Sequence, residues 1–314
     1  MQKLLIMGGS YFIGKHVIDA LKDTHEIYVL NRGTHPLQSQ DITQLVADRN
    51  DVAQMKNALS GHTFDAVIDI SAFTQEQSVI LLEALDTEAL KHFIFISTAA
   101  VYGTKGTPPY KESDSVDTKT NPFGDYAYNK IACETYLRSA LGPILTILRP
   151  PFVYGEFNYI LRERLLFHLL ENEWPVYVPK STNRIQFVYA RDLAQTIKAV
   201  LEGSVPPDTY NVGDTTPITL VEWIHLCGYA AYKTPWIIEI DPAKTDVPVT
   251  HYFPFPDMEF HLDVSKINKF HPEKIVMLDG LKAAFNDYTQ LSTPLSMPKR
   301  MIKARKQLSE HDDA

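Results

Sequence analysis

The sequence predicts an α/β fold, a doubly wound parallel sheet with a smaller carboxyl-terminal lobe. Short apolar runs alternate with segments of helical period through the first 150 residues, which is typical of a parallel sheet covered by helices on both faces. After Pro150 the alternation becomes irregular and prolines accumulate, notably in residues 234–257. We therefore expect about seven strands in one sheet, with ligands bound at its carboxyl edge.

The predicted strands are mostly apolar and rich in β-branched residues, as expected of strands that are buried on both faces. In chain order they are residues 3–8, 26–31, 43–48, 65–70, 92–98, 145–150 and 209–214.

Helical segments are predicted between these strands. Residues 12–21 and 79–90 each place their apolar side chains on one helical face. Residues 126–137 have the same period, and residues 187–203 indicate a strand followed by a helix. The chain is therefore expected to return to the sheet after leaving it.

The expected division of the chain follows from this pattern. A dinucleotide-binding domain comprises residues 1–155, with 185–214 returning to it, and a substrate lobe comprises 156–184 and 215–298. Residues 299–314 form a charged tail, for which a solvated terminal helix or frayed end is favoured over a membrane or RNA patch.

Charge and composition exclude several classes of protein. The 314 residues contain 38 Asp and Glu against 30 Lys and Arg, and this formal charge of -8 gives no general attraction for nucleic acid or anionic lipid. No apolar run approaches the roughly 18 residues of a membrane span. Two isolated cysteines and scattered histidines predict neither a disulfide framework nor a metal site. We expect a cytoplasmic monomer or homodimer that acts on a small molecule, without nucleic-acid or membrane partners.

A glycine-rich turn lies where the first strand passes into the first helix. Gly8 and Gly9 allow a tight turn, and Gly14 allows the helix to pack closely on the strand. The N–H groups at the helix start can then face a pyrophosphate. Tyr11 stands at the central position, where the backbone usually approaches the phosphates. We interpret the turn as a dinucleotide site, with a purely structural turn as the alternative.

Residues at the end of the second strand indicate which nicotinamide cofactor is preferred. Asn31 stands where an enzyme that uses NAD usually presents a carboxylate to the ribose, and the neighbouring Arg32 can pair with a 2′-phosphate. We therefore expect NADP(H) to be preferred, with NAD(H) as the alternative. After the third strand, Asp48 is a candidate to accept a hydrogen bond from the adenine amino group, with Arg49 beside it, and a helix N-cap is the alternative role.

Tyr126 and Lys130 lie four residues apart in a helical segment, so both side chains share one face. A free tyrosine has a pKa near 10, and a neighbouring cation favours the phenolate. The pair therefore suits proton transfer, with Lys130 expected to lower the pKa of Tyr126. A plain amphipathic helix is the alternative, and Tyr128 is a weaker competitor because it has no lysine at this spacing.

Two hydroxyl residues, Ser97 and Thr98, end the fifth predicted strand at the carboxyl edge of the sheet. Ligands of open parallel sheets bind at this edge. Thr98 is therefore a candidate to hold a substrate oxygen near Tyr126, although strand-end hydroxyls also cap turns.

The chain resembles the extended short-chain dehydrogenase/reductase family of Rossmann-type fold, usually described as NAD-dependent epimerases/dehydratases. The resemblance covers the first 215 residues and rests on the ordered motifs GGSYFIG, ADRND, FISTAAVYG, YAYNK, LRPPFVYG, FVYARDLA and YNVG. It implies an NAD(P)-dependent oxidoreductase or epimerase that acts on a hydroxyl or carbonyl carbon, such as that of a nucleotide-sugar. The family's 4,6-dehydratases carry an acidic pair where this chain has Ala99 and Ala100, so dehydration is disfavoured.

The resemblance also implies roles for individual residues. Thr98, Tyr126 and Lys130 would form the catalytic set. The cofactor-binding residues so implied are Gly8, Ser10, Tyr11, Phe12, Ile13, Gly14, Asn31, Arg32, Asp48, Arg49, Ser71, Ser97, Tyr126, Lys130, Phe152 and Val153.

Tyr11 gives the turn a second resemblance, to atypical family members that include chloroplast stem-loop RNA-binding proteins. A non-catalytic binding protein on the same fold, for RNA or for regulation, is therefore the alternative function.

Overall fold

The computed structural model describes residues 1–34, 37, 41–272, 274–293 and 295–312. The strands are β1 (Lys3–Met7), β2 (Glu26–Asn31), β3 (Ile42–Val46), β4 (Ala66–Asp69), β5 (His92–Ile96), β6 (Leu145–Arg149), β7 (Phe152–Tyr154), β8 (Val176–Pro179), β9 (Arg184–Ile185), β10 (Phe187–Tyr189), β11 (Thr209–Asn211), β12 (Ile218–Thr219) and β13 (Ile237–Ile240). The α-helices are α1 (Ile13–Leu21), α2 (Val52–Leu59), α3 (Gln75–Ala84), α4 (Gly124–Leu141), α5 (Glu163–Glu171), α6 (Ala190–Leu201), α7 (Leu220–Ala231), α8 (Val249–Tyr252), α9 (Ser265–Asn268), α10 (Met277–Thr289) and α11 (Lys299–Asp312).

Seven parallel strands form the central sheet, in the order β11-β6-β5-β4-β1-β2-β3. Each of the seven predicted strands lies in this sheet. The chain starts at β1 in the middle, winds outward to β3, and then winds in the other direction from β4 to β11. The predicted doubly wound parallel fold is therefore confirmed.

Alternation along each strand divides the core into two layers. In β1, Leu4 and Ile6 pack with the α1 side chains, whereas Leu5 and Met7 pack with those of α2, α3 and α4. Because successive side chains of a strand point to opposite faces, an apolar strand has to be covered on both sides. We call the sheet with α1–α4 and α6 the sheet lobe.

The remaining elements form a smaller lobe. α5, α7 and α10 pack against one another, and β8 pairs in parallel with β13. β10 pairs with β7 outside the central sheet, so only β11 of the segment 185–214 adds a strand to that sheet. We call the segments that leave the sheet after β6 and β11, residues 150–163 and 212–217, the junction.

The charged tail forms α11, and one face of this helix is buried. Met301, Ala304 and Leu308 are at most 4% exposed, and Arg305 Nη2 donates to the carbonyl oxygen of Pro175 at 2.8 Å. The expectation of a terminal helix was right, but its complete solvation was wrong, because three small apolar side chains among the basic residues give it a docking face. None of the described helices combines the length and apolar character that crossing a bilayer requires.

Candidate active site

A cavity of about 1080 Å³ lies at the carboxyl ends of the sheet strands. It exceeds the roughly 300–1,000 Å³ of most small-molecule sites. The predicted residues that line it are Gly8, Ser10, Tyr11, Phe12, Ile13, Asn31, Arg32, Asp48, Arg49, Ser71, Ser97, Thr98, Tyr126, Lys130, Phe152 and Val153. Among the described residues, the lining carries four cationic side chains and one carboxylate, a positive environment in a chain of formal charge -8.

The glycine turn forms the floor of this cavity. Gly8 has a φ of +97°, and a Cβ there would lie 2.8 Å from that of Ser71. Gly14 does not line the cavity. A Cβ on Gly14 would lie 2.4 Å from the carbonyl oxygen of Gly8, so this glycine lets α1 approach β1.

The start of α1 is open to a ligand. No described side chain caps this helix end, and Phe12, which precedes it, is buried with φ 38° and ψ -114°. A non-glycine residue with positive φ is strained, and such strain often marks a functional turn. The N–H groups of Phe12 and Ile13 and the positive end of the helix dipole suit an anion such as a pyrophosphate, whereas the N–H groups of Gly14 and Lys15 already donate to the carbonyl oxygens of Tyr11 and Phe12.

The Asn31 side chain is fully engaged within the protein. Its Nδ2 donates to Ser10 Oγ at 2.6 Å, and its Oδ1 accepts from the backbone N–H of Gly33 and from Gln44 Nε2. Arg32, in contrast, lines the cavity and forms no ion pair with any described residue. The strand end therefore offers a ligand a free guanidinium rather than a free acceptor.

Arg49 is bound to a buried carboxylate at the end of β4. Its two Nη atoms donate to Asp69 at 3.1 and 3.0 Å, and Nη1 also donates to Ser71 Oγ at 2.6 Å. Burial alone would raise the pKa of Asp69, but the charge and hydrogen bonds of Arg49, together with the Lys130 charge and the Ser71 N–H, outweigh burial and hold this pKa below its usual value. The N-cap of α2 is Asp51, so the N-cap role considered for Asp48 is wrong.

The two hydroxyls after β5 have different partners. Ser97 Oγ donates to Glu134 Oε1 at 2.6 Å, within a buried network that continues to Arg149. Thr98 Oγ1 accepts from the backbone N–H of Ala100 at 3.2 Å and caps a short 3₁₀ helix. Thr98 thus caps a turn and also lines the cavity, so its two considered roles are compatible.

Tyr126 lies on the cavity face of α4, in the turn before Lys130. Burial against the cavity wall raises the pKa of its phenol, while a hydrogen bond with Thr98 and the charge of Arg162 act in the opposite direction. The net pKa is raised, so the expected lowering by Lys130 is not seen. Tyr128 does not line the cavity, and its phenol accepts from the backbone N–H of Asn121.

Lys130 is held by residues of the sheet lobe. Its Nζ donates to the carbonyl oxygen of Ile96 at 2.7 Å and lies 4.7 Å from the ring centroid of Phe95. Burial lowers the pKa of Lys130 to about 8, although the Asp69 carboxylate opposes this shift. The ammonium group therefore points into the base of the cavity, and its electrostatic partner is Asp69 rather than Tyr126.

Sequence reasoning missed the part of the cavity wall that the junction and the smaller lobe supply. Tyr159, Ile160 and Arg162 of the junction line the cavity there, with Phe260 from the smaller lobe. The Tyr159 ring makes an edge contact with the Tyr11 ring, with centroids 6.0 Å apart. These residues belong to a stretch without periodicity, so no sequence signal distinguished them. Among the described residues, no group of three or more His, Cys, Asp or Glu side chains could hold a metal ion.

A parallel sheet with this strand order and a glycine turn at its switch point defines a Rossmann-type protein. Residues 4–213 match the model of the NAD dependent epimerase/dehydratase family. The chain belongs to this family.

Two relatives align with most of the chain. The chloroplast stem-loop binding protein of 41 kDa b of Arabidopsis thaliana is 31% identical over 306 residues, which cover 91% of this chain and 79% of that protein. The dTDP-D-glucose 4,6-dehydratase of Mus musculus is 24% identical over 255 residues, 70% of each chain.

Solved structures share the fold. The UDP-glucose 4-epimerase of Thermotoga maritima with UDP-glucose has a TM-score of 0.74 at 20% identity, covering 92% of this chain and 99% of that chain. The Bordetella bronchiseptica enzyme WbmH with NAD+ has a TM-score of 0.76 at 19% identity, covering 93% and 100%. At these identities the likeness concerns the fold alone.

Proposed function

We propose that the protein is an NAD(P)-dependent epimerase or reductase that acts on a hydroxyl or carbonyl carbon. The observation that carries this proposal is the convergence of Thr98, Tyr126 and Lys130 on one cavity whose floor is the glycine turn. A merely structural strand-helix turn would not need a large positive cavity above it.

The donor set fits a nicotinamide dinucleotide. The open start of α1 would hold the pyrophosphate, and Arg32 would pair with a 2′-phosphate, so NADP(H) is preferred and NAD(H) is the alternative. Asp48 is the adenine-side acceptor in this proposal, while Phe152 and Val153 contact the nicotinamide end. Residues 1–155 with 185–214 then form the cofactor unit, and 156–184 with 215–298 the substrate unit.

The chain's own groups supply positioning and proton transfer. A bound nicotinamide would supply reversible hydride transfer at the substrate carbon. Thr98 holds the reacting oxygen. Tyr126, whose raised pKa keeps the phenol protonated at neutral pH, gives this proton to the carbonyl oxygen during reduction, and the phenolate so formed takes the hydroxyl proton during oxidation. Lys130 contributes a buried cation and a donor at the base of the cavity, where it contacts the ribose.

The substrate proposed is a nucleotide-sugar or a related small molecule. UDP-glucose is bound in the Thermotoga maritima epimerase structure, and UDP-N-acetylmuramic acid in a Methanobrevibacter ruminantium epimerase structure. Ala99 and Ala100 leave no acid beside Thr98, which favours epimerisation or reduction over dehydration.

A second candidate is RNA binding, favoured by the 31% identity to a stem-loop binding protein. The formal charge of -8 opposes it, since phosphate contacts supply most of the affinity for nucleic acid. We propose that the protein acts on small molecules and does not bind nucleic acid.

Mass spectrometry of small molecules released from the purified protein tests the proposal directly. A nicotinamide dinucleotide should be found, or should bind on titration with quenching of protein fluorescence. If neither cofactor binds while a stem-loop RNA binds with steep salt dependence, the RNA alternative is the better function.

A further inference from the structure

Arg162 reaches the cavity from the junction with a partly buried charge. It forms no ion pair with any described residue, and its described hydrogen bond runs from Nη1 to the carbonyl oxygen of Val153 at 3.2 Å. The other buried cations of the lining are compensated: Arg49 by Asp69, and Lys130 by a carbonyl and the same carboxylate.

The adjacent Glu163 acts on Arg162 through its charge but forms no ion pair with it. This residue is fully buried, and its Oε1 accepts from the backbone N–H of Gly155 at 3.1 Å and from Asn158 Nδ2 at 2.8 Å. Burial raises the pKa of Glu163 above its usual value, which weakens it further as a counterion. The described hydrogen bonds of this carboxylate therefore hold the loop before α5 and leave the donors of the guanidinium available.

Two aromatic rings fix the orientation of Arg162. The guanidinium carbon lies 5.1 Å from the ring centroid of Phe152 and 5.8 Å from that of Phe255. A guanidinium stacked in this way keeps the edge of its plane available for donation. Burying it without an anion costs free energy, and burial lowers its pKa accordingly. A ligand with a carboxylate or phosphate group would recover that cost through two parallel hydrogen bonds.

The location of this charge relative to Tyr126 defines which part of a ligand it meets. Arg162 stacks on Phe152, the residue proposed for the nicotinamide end, and lines the same cavity as Tyr126, so it lies near the proposed reacting end. The glycine turn, where a pyrophosphate would bind, is built from β1 and α1 instead. We propose that Arg162 binds an anionic group of the substrate, a carboxylate or a phosphate, near the carbon at which Tyr126 acts. This inference rests on the proposed function for the role of Tyr126.

Three monosaccharide probes test whether the cavity prefers an anionic ligand. Glucose, glucuronate and glucose 6-phosphate are titrated calorimetrically into the full chain, with and without NADP+. At least one anionic probe should bind about ten- to a hundredfold more tightly than glucose, the range of a hydrogen bond to a charged group. The two anions distinguish a carboxylate from a phosphate ligand.

Variants assign the preference to Arg162. Arg162→Met should abolish it, and Arg162→Lys, which keeps the charge but loses the planar donors, should retain part of it. Arg164→Met is the matched control, because Arg164 lies two residues further along, in the first turn of α5, and pairs with Asp287 outside the cavity. Thermal melting establishes that each variant is folded, and Arg162→Gln replaces the Met variant if that one unfolds.

The result that overturns the inference is equal or absent binding of all three probes to the wild type, or an anion preference that survives in the folded neutral variant. Failure of the proposed function would give a different experimental result. In that case neither nicotinamide cofactor binds, while the Arg162-dependent preference persists in the cofactor-free chain.

Discussion

Buried charges in the sheet lobe and in the junction are treated differently. In the sheet lobe, Arg49 is paired with Asp69, and Arg149 with Glu134. In the junction, Glu156 pairs with Arg191, but Arg162 forms no described ion pair, and one carboxylate oxygen each of Glu163 and Asp214 is buried without a hydrogen-bond partner.

This difference means that the sheet lobe is formed without a ligand, whereas the junction responds to a ligand or a proton. A paired buried charge is satisfied whether or not a ligand is present, so the sheet lobe holds its geometry by itself. An unpaired buried charge retains a free-energy cost that a ligand or a proton can relieve. We therefore expect substitutions in the sheet lobe to act on chemistry and cofactor binding, and those in the junction to act on ligand choice and pH dependence.

The largest effect is expected at Tyr126. Tyr126→Phe keeps the ring but removes the titratable oxygen, so turnover on an identified substrate should fall by about 10² to 10⁴ while cofactor affinity hardly changes. Steady-state kinetics with a parallel cofactor titration measures both. Tyr128→Phe is the matched control, because Tyr128 lies outside the cavity. Full activity in Tyr126→Phe would remove Tyr126 from the mechanism.

Asp214 is the corresponding test of the junction. Burial raises the pKa of its carboxyl from 3.8 to about 7, with Asp192 adding to the shift and Lys274 opposing it. The folded state therefore binds more protons than the unfolded state between these values, and wild-type stability should fall as pH rises from about 4 to 7.

Asp214→Asn should remove this decline. At pH 8 its free energy of unfolding should exceed that of the wild type by about 2 to 4 kcal/mol, since one pKa unit corresponds to 1.36 kcal/mol. Urea denaturation across this pH range measures the difference. Asp19→Asn, at a carboxylate that is 71% exposed, should leave the profile unchanged. If the free energy of unfolding depends on pH in the same way in wild type and Asp214→Asn, Asp214 does not titrate in this range.

A substitution of Lys130 tests the sheet lobe. Lys130→Met removes a buried cation and the donor to Ile96, so cofactor affinity should fall by about ten- to a hundredfold. The lowered pKa of about 8 adds a pH signature. Wild-type affinity should weaken as pH rises through 8 and the ammonium loses its proton, whereas the affinity of Lys130→Met should show no such step. The same step in both proteins would assign the titration to another group.

The smallest effect is expected at Arg32, where the charge is solvent-accessible and screened. Arg32→Ala should weaken NADP+ binding by about tenfold relative to NAD+ binding, because it removes the proposed partner of the 2′-phosphate. Fluorescence titration of both cofactors measures the ratio. Arg32→Lys should keep part of the preference, and an unchanged ratio in Arg32→Ala would exclude Arg32 as the discriminating residue.

The sequence by itself determined the sheet and the glycine turn. Each strand is specified by its own apolar run. The turn between β1 and α1 is specified by its glycines, because a Cβ atom there would clash with nearby atoms. The four-residue spacing of Tyr126 and Lys130 likewise fixed their common helix face. Features of this kind depend on neighbours along the chain, so they can be predicted without knowing what packs against them.

Only the tertiary structure decided which charges find partners. Lys130 turns towards Ile96 and Asp69 because the carboxyl ends of β4 and β5 lie side by side, which its own helix does not encode. Arg162 lies in a stretch without helical or strand period, and its place in the same cavity as Tyr126 depends on how the junction folds back over the sheet. The burial and pairing of a charge are set by residues far away in sequence, and the function of this site depends on both.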